Sequence, residues 1–276
     1  VRNDFETLNI CVDGQVIIVT INAPPINLLG PALVRDLVSI IQTLDTGTYK
    51  VAVFKSADPD FFIPHVDVTK VKEYREEAAR LTGEASIASL FRHVSETPAV
   101  TIAQIEGRAG GAGSEFALAC DMRFAALETA VFSQFETSFG LTPGAGGIQH
   151  LVRLIGRGRA LEVLLTAEDY SASLAAQYGW VNRALPATQL SEFVSKTAQR
   201  IASFPVEGVR AVKARVNAVA LAAAEEFRRD SDLFGEAVKN PETQSRMRAA
   251  FRAGFQTRES EKNLSDLVAR LGNGTT

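Results

Sequence analysis

The chain has little of what builds disulfide scaffolds, metal clusters or membrane spans. Its two cysteines, Cys11 and Cys120, both sit in apolar, strand-like or helix-like settings with no metal-ligating partner nearby. That argues against a disulfide framework and sets the expectation of a reducing, cytoplasmic environment. Apolar runs are broken by charges well before the length of a span, so neither a membrane nor a secretory segment is expected. The formal net charge of -3 argues against a nucleic-acid partner. No internal repeat or low-complexity linker is visible. What is present is an ordinary globular composition, 46% hydrophobic and 22% charged over 276 residues, enough for one substantial core with an appendage.

The most informative stretch runs from Val100 to His150. It opens on the short apolar run Val100 to Ile105, which reads as a buried strand. Small residues then crowd from Glu106 to Glu115, and Phe116 to Cys120 has the composition of a buried helix. Glycines at a strand-to-helix junction permit close approach of another backbone or a ligand and leave the first helical N–H groups free to face an anion or carbonyl oxygen. This makes the neighbourhood of Gly113 a candidate oxyanion site. Glu115 falls in the first helical turn, and a second glutamate, Glu136, follows two strand-like segments and precedes the run Gly140 to Gly147. Two carboxyls sharing an apolar pocket ionise unequally, which lets one act as acid and the other as base.

These blocks, Glu106-Gly107 to Glu115, Cys120-Asp121, and Phe132 to Gly147, resemble the central signature of the crotonase superfamily, the enoyl-CoA hydratase/isomerase group. The resemblance covers most of the chain, from about Val12 to near Phe255. It implies an α/β fold: a crotonase-like spiral of ββα units over residues 1–189, then a helical C-terminal region over 190–276 that forms subunit contacts in a homotrimer or dimer of trimers. On that pattern Gly113 supplies one oxyanion-hole N–H, and Glu115 and Glu136 are the two catalytic glutamates. The substrate is then an acyl-CoA thioester. Coenzyme A enters only as part of it, with no separate cofactor and no metal.

One segment departs from the pattern. Phe61 to Val68 resembles a Phe-x-Ala-Gly-Ala-Asp sequence whose first alanine is read as the second oxyanion donor. Setting Phe62 and Asp67 on its ends puts Pro64 at that alanine and His65 at the glycine. Proline has no N–H, and losing one oxyanion donor costs roughly 3 kcal/mol. Three readings follow: a shifted loop in which His65 donates, a non-CoA β-diketone hydrolase that cleaves a carbon–carbon bond using His65, or a catalytically silent acyl-CoA-binding homologue. Against all three stands a plain loop histidine. The expected pocket comprises Phe62, Ile63, Val66, Asp67, Gly111, Ala112 and Gly144 beside the two glutamates.

Elsewhere the periodicities predict a hairpin around Asp13-Gly14, a helix from Pro31 to Leu44, and two helices split at Gly83 between Thr69 and Val94; the resemblance implies that this last region covers the acyl pocket. Helices fill the chain from Leu190 onward, and a frayed end is expected from Leu271. His93, His150 and Trp180 read as structural or packing residues. Lys213 and Arg258 fall nearest the positions where the resemblance implies cations for CoA phosphates. The leading expectation is addition of water across the 2,3 double bond of an enoyl-CoA. Isomerisation would need only one proton-carrying carboxylate.

Overall fold

The protein is described from a computed structural model covering residues 4–272. Its first strands, β1 (Leu8–Asp13) and β2 (Val16–Ile21), pair antiparallel with Asp13 opposite Val16, and Gly14 takes the positive φ that so tight a turn requires. After α1 (Pro31–Asp45) the chain winds in turns of two strands and a helical segment. In each turn the first strand joins a large sheet and the second joins a small one. The turns are β3 (Val51–Ser56), β4 (Phe61–Ile63) and helices α2 (Val71–Thr82) and α3 (Ile87–Glu96); β5 (Val100–Ile105), β6 (Arg108–Gly110) and α4 (Ala112–Ala119); and β7 (Met122–Ala126), β8 (Val131–Ser133) and α5 (Gly147–Thr166). Then come β9 (Tyr170–Ser171), α6 (Ala172–Tyr178) and β10 (Arg183–Leu185). The large sheet has the order β1-β2-β3-β5-β7-β10 and the small one β4-β6-β8-β9. From β2 to β10 the large sheet is parallel. β5 is buried along its whole length, as a parallel strand covered on both faces must be.

Gly83 ends α2 in the left-handed conformation, so the expected split between two helices is observed. Trp180 is fully buried beside Phe132 and Tyr170. His93 faces Asp45 at 2.8 Å, a structural contact at a helix end.

The helical tail does not behave as one layer. In α7 (Ala187–Ala202) Leu190, Val194 and Ala198 form a buried stripe at four-residue spacing. α8 (Val206–Ala220) buries no residue and leaves Val212, Val216 and Val219 exposed. By contrast α9 (Ala224–Ala237), α10 (Pro241–Arg252), α11 (Arg258–Lys262) and α12 (Leu264–Gly272) fold back over the small-sheet side of their own chain. There Ala250, Phe255, Leu264 and Leu267 share an apolar cluster with Phe135, Phe139 and Leu141. Much of the tail expected to serve neighbouring subunits therefore covers the chain it belongs to. Of the frayed end expected from Leu271, Leu271 and Gly272 belong instead to α12, and residues 273–276 lie outside the described residues. Among the described residues no helix is long and apolar enough to cross a membrane.

Candidate active site

The site is built where β4 and β6 lie side by side and α4 begins. All eight residues of α4 are buried. The junction is so close that a Cβ on Gly113 would stand 1.8 Å from the Ile63 carbonyl oxygen, so no larger residue fits there. Gly113 packs its Cα on Ile63, and it is the preceding residue, Ala112, that lines the cavity. At the first helical position the Ala112 N–H has no acceptor among the described residues.

The loop after β4 supplies the other free amide. Leu29 and Val66 form a parallel bridge in which Leu29 N–H donates to His65 O at 2.9 Å and Asp67 N–H donates to Leu29 O at 3.1 Å. In that pairing the peptide groups flanking Val66 face Leu29 and its own N–H and C=O face the other way. The Val66 carbonyl accepts from His65 Nδ1 at 2.7 Å, while the Val66 N–H has no acceptor among the described residues. Val66 lines the cavity. Pro64 does not line it and turns its carbonyl toward Gly110. Its missing N–H is therefore no loss to the cavity, contrary to the concern it raises in the sequence. Asn27 braces this loop: its side-chain amide donates to Ser56 Oγ at 2.8 Å and to the carbonyls of Phe61 and Phe62 at 3.3 Å, and its Oδ1 accepts from Ala23 N–H at 2.7 Å.

Both glutamates line the same cavity. Glu115 Oε1 accepts N–H bonds of 2.8 Å from Ala145 and from Gly147. Glu136, on the short 3-10 turn after β8, accepts from the Gln134 side-chain amide, at 3.2 Å to each oxygen. Burial raises the pKa of both carboxyls; the two backbone donors oppose the rise at Glu115, and the neighbouring Glu115 charge adds to it at Glu136. Glu115, the better hydrogen-bonded, is the easier of the two to ionise, and Glu136 holds its proton longer. The remaining wall is apolar and aromatic: Val68, Phe135, Phe139, Leu141, Phe234 and Phe255. Tyr74 also reaches it, its hydroxyl pKa raised chiefly by burial.

Of the other expected pocket residues, Gly144 lines the cavity and Gly111 stands at its edge, its Cα facing Glu136 Oε1 and His65 Cβ. Phe62 and Ile63 are core residues instead, Phe62 stacking on Phe116 at 6.3 Å. Asp67 turns away to accept from Thr69 N–H at 3.0 Å. The two expected CoA cations are already committed. Lys213 bonds Asp121 and the Ala99 carbonyl, each at 2.7 Å, in a separate groove. Arg258 pairs with Asp58 and Asp60 and pins α11 to the β3–β4 loop.

His65 is buried in the cavity wall: Nδ1 bonds Val66 O at 2.7 Å, and Nε2 lies 3.0 Å from Glu261 Oε1, short of good hydrogen-bond alignment. Sequence reasoning missed Glu261, Gln134 and Tyr74. Only for Gln134, two residues before Glu136, was there a local signal to follow. His150 packs edge-on against Phe227, and burial first, then nearby arginines, bring its pKa down to about 3, so it stays neutral.

A spiral of ββα turns that brings two buried carboxyls and two unpaired amides to one apolar cavity defines the crotonase fold class. Residues 12–256 match the family described as enoyl-CoA hydratase/isomerase. Over 207 residues the chain is 31% identical to the short-chain-enoyl-CoA hydratase of Clostridium acetobutylicum, covering 74% of this chain and 78% of that protein. It is 33% identical to the crotonyl-CoA hydratase of Syntrophomonas wolfei over 184 residues, 67% of this chain and 69% of that one. A crystal structure described as a "putative enoyl-CoA hydratase" from Streptomyces avermitilis superposes with a TM-score of 0.95 at 50% identity, covering 98% of each chain. This chain belongs to the enoyl-CoA hydratase/isomerase family of the crotonase superfamily.

Proposed function

We propose that the protein hydrates an enoyl-CoA, with the thioester oxygen held by the N–H groups of Val66 and Ala112. The observation that carries this reading is the convergence of Glu115, Glu136 and those two residues on one cavity. Ionised Glu115 keeps Oε1 on two backbone amides and has Oε2 left to take a proton from water. The hydroxyl adds to C3 while neutral Glu136 gives its proton to C2, and the negative charge that develops on the thioester oxygen is met by the two amides and the positive end of α4. Afterwards the proton gained by Glu115 and the charge left on Glu136 cancel by exchange, which resets the pair. Phe135, Phe139 and Leu141 favour an apolar acyl chain. The β-diketone reading is the weaker one, because the His65 ring is turned to Val66 O and Glu261, and the argument for a silent homologue weakens because Pro64 does not line the cavity.

The test is hydration of crotonyl-CoA, followed by loss of enoyl-thioester absorbance. Glu115→Gln and Glu136→Gln are each expected to lower kcat by about a thousandfold. Loss of water addition in one variant only, with double-bond migration retained in the other, would turn the reading to an isomerase.

A further inference from the structure

We propose that His65 and Glu261 form a positioning pair that holds the Val66 N–H on the substrate's carbonyl oxygen, so that the chain's last helices set the oxyanion site. The inference rests on the function proposed above and adds two residues that its chemistry does not use. Val66 N–H belongs to the peptide between residues 65 and 66, whose carbonyl is fixed by Leu29 N–H. The next peptide is fixed by the His65 ring: a carbonyl can only accept, so Nδ1 carries a proton and donates it to Val66 O at 2.7 Å. Between them these bonds leave the free amide little room to rotate. The ring is itself held by stacking on Phe255, centroids 4.7 Å apart and planes 6° off parallel, and by the edge of Phe135 at 5.5 Å.

Glu261 completes the arrangement from the other end of the chain. It is the one buried residue of α11 and has no exposed surface. Its Oε1 lies 3.0 Å from His65 Nε2 and accepts from Gln256 N–H at 2.8 Å. Burial works against ionisation, yet the His65 contact and the Gln256 amide bring the carboxyl below its ordinary pKa. Residues on either side dock the helix: Arg258 on Asp58 and Asp60, Lys262 Nζ on Asp60 at 2.7 Å, and the Lys262 carbonyl on Arg108 at 3.1 Å. A short helix so anchored delivers a single carboxylate into a dry wall, a costly placement for packing alone. With its ring turned to Val66 O and Glu261, His65 acts on the reaction only through Val66.

The test reads the carbonyl directly. Butanoyl-CoA has no double bond to hydrate, and its infrared C=O stretch falls when it is polarised by the wild-type site. Glu261→Gln and His65→Gln are expected to lose roughly half of that lowering and to cut kcat for crotonyl-CoA about tenfold, with KM within about twofold. His65→Asn places an amide N–H where Nδ1–H stood and is expected to restore most of both. Wild-type lowering in Glu261→Gln and His65→Gln, or equal impairment in His65→Asn and His65→Gln, overturns the inference. Should Glu261→Gln unfold, the contrast between the two His65 variants decides alone. No lowering even in the wild-type protein would instead sink the enolate reading, and the positioning pair with it.

Discussion

The cavity wall that carries Glu115 and Glu136 is assembled within one stretch of chain, from β5 to the start of α5, where the Ala145 and Gly147 amides hold Glu115 and the Gln134 side chain holds Glu136. The wall that carries Val66 and His65 draws on three distant segments, around Asn27, Val66 and Glu261, where the Asn27, His65 and Glu261 side chains add to the backbone bridge from Leu29. The first wall tolerates little change of volume, because its glycines sit where chains touch. The second depends on partners that only folding brings together.

The variants that break the first wall should show the largest effects. Gly113→Ala puts a methyl group into the Ile63 carbonyl and is expected to destabilise the fold by about 4 kcal/mol or more, seen as insoluble expression or a collapsed denaturation midpoint. Next comes Ala112→Pro. Proline is accepted at a first helical position, so this change removes one unbonded N–H while sparing the helix, and kcat should fall about a hundredfold with folding retained. A Gly113 donor would instead leave Ala112→Pro near wild-type rates, which would erase the distinction drawn between the two residues.

The carboxyl pair sharpens the comparison through pH. Both pKa values are raised above the ordinary 4.5, so between about pH 4.5 and the folded values the native state holds protons that the unfolded chain has released. Stability attributable to the pair is therefore highest at low pH and is lost as pH rises. The melting temperature should decline from about pH 5 to about pH 8, and less steeply in Glu136→Gln. In the same range kcat should fall on the alkaline side as Glu136 loses its proton and on the acid side as Glu115 gains one. The smallest effect on catalysis is expected from α8. Its exposed stripe of Val212, Val216 and Val219 lines no part of the cavity that holds the two glutamates, so Val216→Glu should alter kcat about twofold at most.

How far the sequence could be read follows the same division. The strand, glycine cluster and glutamates of the first wall lie close along the chain, and their spacing points to the cavity without a structure. Even there the residue that lines the cavity is Ala112 rather than Gly113, because composition does not tell which way a fully buried helix is rotated. In the second wall the loop was recognisable but its donor was not. Pro64 and Val66 are two residues apart in extended chain, and only the Leu29 bridge decides which amide is open. Glu261 had no local signature, since one glutamate in a short charged helix looks like any solvated residue. For Lys213 and Arg258 the sequence likewise hides the ion-pair partners Asp121, Asp58 and Asp60, which only the fold brings to them.

The two sulfhydryls differ in a way that is useful at the bench. Cys120 closes α4 inside the core, where burial chiefly, and then Asp121, push its thiol up to about 12. Cys11 lies exposed on β1, at the edge of the large sheet. A maleimide dye should therefore attach to the native protein at a single point outside the cavity lining, giving a reporter for assembly or acyl-CoA titration without any engineered residue.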